Sequence, residues 1–257
     1  FKLLIDQKKI GGFYEKISKN YSKCIFYEAD TRYQKNILNN VKKYLNLSKE
    51  SKLASIGCGN GSTESTLAEI CSLKKKILAV DSNKKMLTYA ENYSCLEPIL
   101  MDGLKFVKDK NFCYEKCLLK EVVHHFSENE IYQVYQGIYN QLTEDGTVLT
   151  ITRNQETEYP FFTEAVEKWR EIQPPIKLFI EAQKICGFEV ALKEVNFEIH
   201  ISLKDWVDML KNRFWSHLSE FDDDCLNKGI TEIEERYRGY EMISFNDCLI
   251  FLIGYKC

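Results

Sequence analysis

The residues with the most chemical information form a short loop in which every second residue is glycine. This glycine loop consists of Gly57, Cys58, Gly59, Asn60 and Gly61. Glycine has no Cβ, so the backbone can turn sharply there and a ligand can lie directly against it. A following helix over residues 62–72, N-capped by Ser62 or Thr63, would add free N–H groups and a positive dipole end, which favour a polar or anionic group. The pattern therefore predicts a nucleotide-type binding loop.

Two acidic residues follow later apolar runs, where parallel strands would end. Asp81 lies twenty positions after Gly61, and Asp102 follows the next apolar run. A carboxylate at this edge of a sheet accepts hydrogen bonds from ribose hydroxyls in nucleotide-binding folds. Because Asp81 followed by Ser82 is also a good helix start, a capping role is the alternative, and the two roles are compatible.

A third group of reactive side chains follows a predicted strand over residues 114–120. It contains Glu121, His124 and His125. Histidine titrates near neutral pH, so both histidines are candidate general bases. Adjacent residues in a turn point in different directions, and we therefore expect at most one of them to face a substrate. Glu121 is the alternative, as a partner for a cationic amine.

The elements that would position these groups alternate between strand and helix. We predict strands over residues 53–56, 76–80, 97–101, 114–120 and 147–153, and helices over residues 62–72, 82–93 and 127–142. Ser127 followed by Glu130 is a plausible capping box for the last of these helices. Such alternation favours a mostly parallel sheet with right-handed crossovers.

The pattern changes after residue 154. We predict helices over residues 160–172 and 176–186, a strand over 188–202, a helical block over 203–240 and a final strand over 247–255. We expect the helical block to form a lid near the site, with contributions from Phe214, Trp215 and His217. Residues 1–50 read as a helical cap with aromatic packing residues, namely Phe13, Tyr14, Tyr21, Phe26 and Tyr27.

Composition narrows the class of protein. The 257 residues carry a formal net charge of -3, with lysines scattered among acids, so we expect no nucleic-acid partner. The chain contains no apolar run of about eighteen residues and starts with too short an apolar stretch for a secretion signal, so we expect no membrane association and a cytoplasmic location. The ten cysteines are dispersed and lack metal-ligand spacing, which predicts reduced thiols and no metal site.

Taken in order, the glycine loop, Asp81, Asp102 with Gly103, and the segment from Lys120 to the histidines resemble the class I S-adenosylmethionine-dependent methyltransferase family. The resemblance covers roughly residues 50–153. A dinucleotide-binding loop of the GxGxxG type would require glycine at position 62, where this chain has Ser62.

The resemblance implies an α/β fold: a Rossmann-like three-layer α/β/α sandwich with a seven-stranded, mostly parallel sheet and a reversed last strand. The strands over residues 188–202 and 247–255 would form the final hairpin, with a helical insertion before the last strand. It implies a single domain over residues 1–257, composed of an N-terminal helical cap (1–50), a cofactor-binding core (51–153) and a C-terminal part (154–257) with a helical lid over about 203–240.

The resemblance also implies roles for individual residues. The glycine loop would contact the methionine part of S-adenosylmethionine, Asp81 the ribose, and Asp102 with Gly103 the adenine. The implied cofactor-binding set is completed by Ser82, Met86, Met101 and Lys120. Family members often carry an acid two residues before the first glycine, where this chain has Ser55. Asn60 or a residue of the N-terminal cap is the alternative contact for the cofactor's amino group.

The function implied is methylation of a small molecule at oxygen or nitrogen by in-line transfer, with S-adenosylhomocysteine as product. A histidine base is required only if the acceptor is a protonated amine or a hydroxyl; a carboxylate, or a soft sulfur or arsenic centre, needs none. The alternatives are a protein or RNA methyltransferase, or a catalytically inactive cofactor-binding partner subunit. The sequence gives no expectation of the oligomeric state.

Overall fold

The computed structural model describes residues 31–257. The chain divides into two compact units. The sheet unit comprises Lys35–Thr152, Pro175–Glu194 and Ile250–Cys257, and the aromatic unit comprises residues 31–34, Arg153–Pro174 and Val195–Leu249. Of the predicted cap over residues 1–50, the aromatic residues Phe13, Tyr14, Tyr21, Phe26 and Tyr27 lie outside the described residues.

The described strands form one seven-stranded sheet. They are β1 (Leu53–Ile56), β2 (Ile77–Asp81), β3 (Leu96–Leu100), β4 (Tyr114–Lys120), β5 (Leu142–Thr152), β6 (Phe188–Ser202) and β7 (Met242–Lys256). Their order is β3-β2-β1-β4-β5-β7-β6, with β1 to β5 paired in parallel and β7 antiparallel to β5. The predicted Rossmann-like sheet with a reversed last strand is confirmed.

Nine α-helices are present between residues 31 and 257. They are α1 (Thr31–Tyr44), α2 (Ser62–Cys71), α3 (Lys84–Ala90), α4 (Gly103–Lys108), α5 (Glu128–Gln141), α6 (Thr163–Ile172), α7 (Ile176–Ile185), α8 (Leu203–Lys211) and α9 (Asp223–Arg236). Helices α8 and α9 lie between β6 and β7 in sequence, as the predicted helical insertion requires. None of the helices described is long and apolar enough to cross a lipid bilayer.

Burial explains why these elements form. β1 is buried along its whole length, and β2 is buried up to its last residue, as expected for central parallel strands covered on both faces. Helix α2 buries residues spaced at three and four positions, which is one face of an α-helix: Glu64, Leu67, Ala68 and Cys71. The capping box predicted at the start of α5 is present, with Glu130 Oε2 accepting from the Ser127 N–H at 2.8 Å.

Two predicted helix caps are wrong. The N-cap of α2 is Gly61 instead of Ser62 or Thr63, because Gly61 has a left-handed φ of 77° and the helix already includes Ser62. Helix α3 begins at Lys84, and its N-cap is Asn83 instead of Asp81 or Ser82. The Asn83 side chain accepts from two backbone N–H groups of the first turn, which satisfies donors that have no partner inside the helix.

Three predicted boundaries near β5, β7 and the helical block are also wrong. β5 starts at Leu142, since that residue already pairs with Tyr114 before a register shift leads to the Lys116–Thr147 pairing. β7 starts five residues earlier than predicted, at Met242. The block over residues 203–240 is α8, a short 3₁₀ turn (Ser216–Glu220) and α9, and it ends at Arg236.

Candidate active site

The glycine loop follows β1 directly and turns through left-handed backbone. φ is 78° at Gly57, 58° at Gly59 and 77° at Gly61. The N–H groups of Gly57 and Cys58 donate to the Val80 carbonyl at 2.8 and 3.1 Å, which ties the start of the loop to β2. Residues with a Cβ rarely adopt such φ values, so glycine is required by the backbone conformation itself.

The three glycines differ in the space around them. A Cβ added at Gly57 or at Gly61 would lie 2.6 Å from a carbon of another side chain. At Gly59 the nearest atom within 4 Å is Met86 Cε, at 3.4 Å. Of the three glycines, Gly59 therefore has the most room beside its Cα, and contact between the loop and a ligand stays a prediction.

Asp81, the last residue of β2, is bonded to the glycine loop. Its Oδ2 accepts from the Gly59 N–H at 2.8 Å, and its Oδ1 accepts from the Asn83 N–H at 2.8 Å. Burial raises the pKa of Asp81, while the backbone donors lower it. The Asp81 carbonyl also accepts from the Met101 N–H at 3.0 Å, so the ends of β2 and β3 are held together.

The remaining predicted cofactor-binding residues lie at the same ends of the parallel strands or in the loops and helices that follow them. Asp102 Oδ1 accepts from the Leu104 N–H at 2.9 Å and caps α4. Asn60 Oδ1 accepts from the Ser62 N–H at 3.1 Å, which fixes the second half of the glycine loop. Met86 is buried, Met101, Gly103 and Lys120 are half-buried, and Ser82 is exposed.

The end of β4 holds Lys120 and then a strained residue. Glu121 has a left-handed φ of 55°, and its N–H donates to the Ile151 carbonyl at 2.9 Å. A non-glycine residue in this region costs about 1–3 kcal/mol and is often found at functional sites. The geometry is consistent with the predicted role of Glu121, which stays a prediction.

His124 and His125 end a 3₁₀ turn that starts at Val123. Their ring centroids are 4.1 Å apart and the ring planes are inclined by 59°. That at most one of them faces a substrate stays a prediction. Burial lowers the pKa of His125 to about 4. The premise of titration near neutral pH is therefore wrong for His125, whose imidazole is neutral at pH 7. A role as base stays a prediction.

Glu64 in α2 is a candidate site residue that the sequence reasoning missed. The carboxylate is buried, and its Oε1 accepts from Ser55 Oγ at 2.7 Å. Ser55 is the position at which the sequence resemblance implies an acid. The available signal was the helical spacing of Glu64 with the apolar Leu67, Ala68 and Cys71, which places an acid on a buried face.

The predicted lid residues Trp215 and His217 are buried in the aromatic unit. Both pack against Phe161, with ring centroids 4.9 Å apart in each pair. Burial lowers the pKa of His217 to about 3. The ring centroids of Phe214 and Trp215 are 5.1 Å apart. Their contribution to a substrate site, and the lid itself, stay predictions.

Comparison with known proteins agrees with this geometry. Residues 54–150, which run from β1 into β5, match the family described as "Methyltransferase domain". No curated protein sequence gave a significant match.

Solved structures share the fold at low sequence identity. A mycolic acid cyclopropane synthase, solved with S-adenosylhomocysteine and CTAB, has a TM-score of 0.64 at 13% identity, covering 98% of each chain. A phosphoethanolamine N-methyltransferase of Haemonchus contortus has a TM-score of 0.59 at 14% identity, covering 95% of this chain and 60% of that one. An S-adenosylmethionine-dependent methyltransferase of Archaeoglobus fulgidus has a TM-score of 0.55 at 13% identity, covering 87% and 94%.

Proposed function

We propose that this chain, a member of the class I S-adenosylmethionine-dependent methyltransferase family, methylates a small organic molecule at an oxygen or nitrogen atom. The observation that carries the proposal is the connection between the glycine loop and Asp81 at the ends of β1 and β2. The net charge of -3 favours a small acceptor over RNA. The Haemonchus contortus enzyme was solved with phosphomonomethylethanolamine, a small nitrogen compound.

The described residues fit S-adenosylmethionine. Gly59 leaves room beside the loop backbone, and Glu64 keeps a buried oxygen without a donor in the described part of the chain. When bound, the cofactor supplies an electrophilic methyl group on a positively charged sulfur. We assign the glycine loop to its methionine part and Asp81 to its ribose. Further contacts are assigned to Ser82, Met86, Met101, Asp102, Gly103 and Lys120.

The chain's contribution to methyl transfer is chiefly positioning. Correct orientation of two reactants is worth about 7–11 kcal/mol, whereas a general base adds roughly 10² to 10⁴-fold in rate. Of the candidate bases, His125 is neutral at pH 7 and can accept a hydrogen bond, but its low pKa makes it a weak proton acceptor. We therefore assign His125 or His124 to orienting an acceptor hydroxyl or amine, and Glu121 to a cationic acceptor.

The test uses purified protein and methyl-labelled S-adenosylmethionine. The protein is incubated separately with small-molecule, protein and RNA fractions of a cell extract, with excess S-adenosylhomocysteine as the control that blocks the site. We expect label in the small-molecule fraction only. Label in protein or RNA would replace the proposed acceptor class, and binding without transfer in any fraction would favour an inactive partner subunit. A cytoplasmic location is part of the proposal and is testable by fractionation.

A further inference from the structure

The side chain of Glu64 is buried with one of its two oxygens lacking a donor. Only 2% of the residue is exposed. Ser55 Oγ donates to Oε1 at 2.7 Å, but Oε2 has no hydrogen-bond partner among the described residues. A carboxylate oxygen taken out of water without a donor is unfavourable. Such a group requires an explanation, and a ligand that brings the missing donor is one.

The charges around Glu64 leave it without an ion pair in the described part of the chain. Burial raises the pKa of Glu64 and the nearby Asp81 adds to the rise, while hydrogen bonds from Ser55 and from the backbone, and then the charge of Lys120, oppose it. Cys58 responds to the same two acids, since burial, Glu64 and Asp81 together raise the pKa of its thiol. This end of the sheet unit therefore combines two carboxyl groups with one lysine, and a further cation would be stabilised there.

The Glu64 carboxylate contacts β1 immediately before the glycine loop. Ser55 lies between Ala79 of β2 and Leu118 of β4, two residues before the glycine loop. Here Glu64 brings a carboxylate to Ser55 from the first turn of α2, where the helix dipole favours a negative charge.

We propose that Glu64 binds the α-ammonium group of S-adenosylmethionine. An ammonium group carries three N–H donors and one positive charge, so it supplies both the donor that Oε2 lacks and the balancing charge. Ser55 orients the carboxylate by donating to Oε1. The inference concerns cofactor binding alone and does not depend on the proposed acceptor.

The test compares two ligands by calorimetry: S-adenosylhomocysteine, which has the ammonium group, and 5′-methylthioadenosine, which lacks the amino-acid part. Glu64→Gln keeps the shape of the side chain and removes its charge. We expect Glu64→Gln to weaken S-adenosylhomocysteine binding by about tenfold or more, with methylthioadenosine binding changed less than about twofold. Glu69→Gln is the matched control, because Glu69 is an exposed acid of the same helix.

A purely structural role for Glu64 would weaken both ligands alike, and an inert residue would weaken neither; either result overturns the proposal. A second variant covers the case in which Glu64→Gln fails to fold. The double substitution Ser55→Asp, Glu64→Ser moves the carboxylate to β1. We expect it to bind S-adenosylhomocysteine within about threefold of the wild type. Retention of methylthioadenosine binding with loss of S-adenosylhomocysteine binding in this variant would also overturn the proposal.

Discussion

Two buried carboxylates, Asp247 in the aromatic unit and Glu64 in the sheet unit, differ in how many hydrogen-bond donors surround them. Asp247 is 0% exposed and Glu64 is 2% exposed. Asp247 Oδ1 accepts from Arg153 Nε at 2.7 Å and from the Tyr159 hydroxyl at 2.6 Å. Its Oδ2 accepts from Arg153 Nη2 at 2.9 Å and from the Tyr33 hydroxyl. Glu64 Oε1 accepts from the Ser55 hydroxyl at 2.7 Å, and Glu64 Oε2 has no hydrogen-bond partner among the described residues.

The pKa directions follow from this difference in bonding. Burial alone would raise the pKa of both acids. Around Asp247 the Arg153 guanidinium, with the hydroxyls of Tyr159 and Tyr33, overcomes burial and lowers the pKa. Around Glu64 burial prevails and the pKa is raised. Two equally buried acids therefore have different surroundings: Asp247 is fully hydrogen-bonded inside the aromatic unit, whereas Glu64 keeps the unpartnered oxygen for which we propose a ligand.

The largest effect is expected for a substitution of Asp247, the fully hydrogen-bonded carboxylate. Asp247→Asn should lower the free energy of unfolding by about 3–5 kcal/mol, because Arg153 is left as a buried charge without its counter-ion. The measurement is chemical denaturation at pH 7. The effect should shrink as pH falls through the lowered pKa of Asp247, since an acid with a lowered folded pKa stabilises the protein above its unfolded pKa and loses that contribution in acid.

The matched control for this prediction removes both charges. The double variant Arg153→Met, Asp247→Leu should be less destabilised than the sum of the single variants, because no unpaired charge remains. If Asp247→Asn lowered the free energy of unfolding by less than about 1 kcal/mol, the hydrogen bonds to Asp247 would not stabilise the fold, and the contrast with Glu64 would disappear.

Asp81 lies between these extremes, since each of its oxygens accepts from one backbone N–H and the residue is half-buried. Asp81→Ala should weaken S-adenosylhomocysteine binding by about tenfold, through loss of both the loop contact and the proposed ribose contact. His125→Ala should weaken it less. Calorimetry on the two variants makes the comparison, and equal losses would remove the ribose role assigned to Asp81.

Most of the sheet could be predicted from local sequence because central strands are continuous apolar runs. β4 and β6 were predicted to the residue, and Asp81 was placed correctly at the end of β2. The acid at Glu64 was missed for a physical reason. An acid in the first turn of a helix ordinarily faces water, and its burial against Ser55 depends on how α2 packs on the sheet, which sequence spacing alone does not fix.

Three features near the glycine loop and in the aromatic unit that local sequence patterns do not give share a cause. The N-cap of α2 depends on the left-handed φ of Gly61, so that Gly61 caps the helix where Ser62 was expected to. The lowered pKa of His125 depends on burial by residues distant in sequence. The burial of Trp215 and His217 likewise arises from contacts with Phe161, more than fifty positions away. Local patterns contain none of these contacts.

A smaller effect on stability, measured without ligand, is expected for a substitution of Glu64, whose carboxylate has one unpartnered oxygen. Glu64→Gln should change stability at pH 7 by no more than about 1 kcal/mol, because no ion pair is lost. An acid with a raised folded pKa stabilises the protein below its unfolded pKa, near 4.5, and loses that contribution as pH rises. The wild type should therefore lose stability relative to Glu64→Gln as the pH rises above about 4.5. A large loss in the variant at pH 7 would place Glu64 beside Asp247 as a structural acid.

The smallest expected effect extends the comparison from acids to histidines. Burial lowers the pKa of His125 in the sheet unit to about 4 and that of His217 in the aromatic unit to about 3. NMR titration of the imidazole carbons, assigned with His125→Ala and His217→Phe, should show both rings neutral down to about pH 5. Because unfolded histidine titrates near 6.5, both residues stabilise the folded protein above that pH and lose this contribution as pH falls.

If S-adenosylhomocysteine raised the pKa of His125 toward neutrality while His217 stayed unchanged, the ligand would bring negative charge near His125, and a proton-accepting role would regain support. An unchanged His125 would leave it the orienting role proposed above.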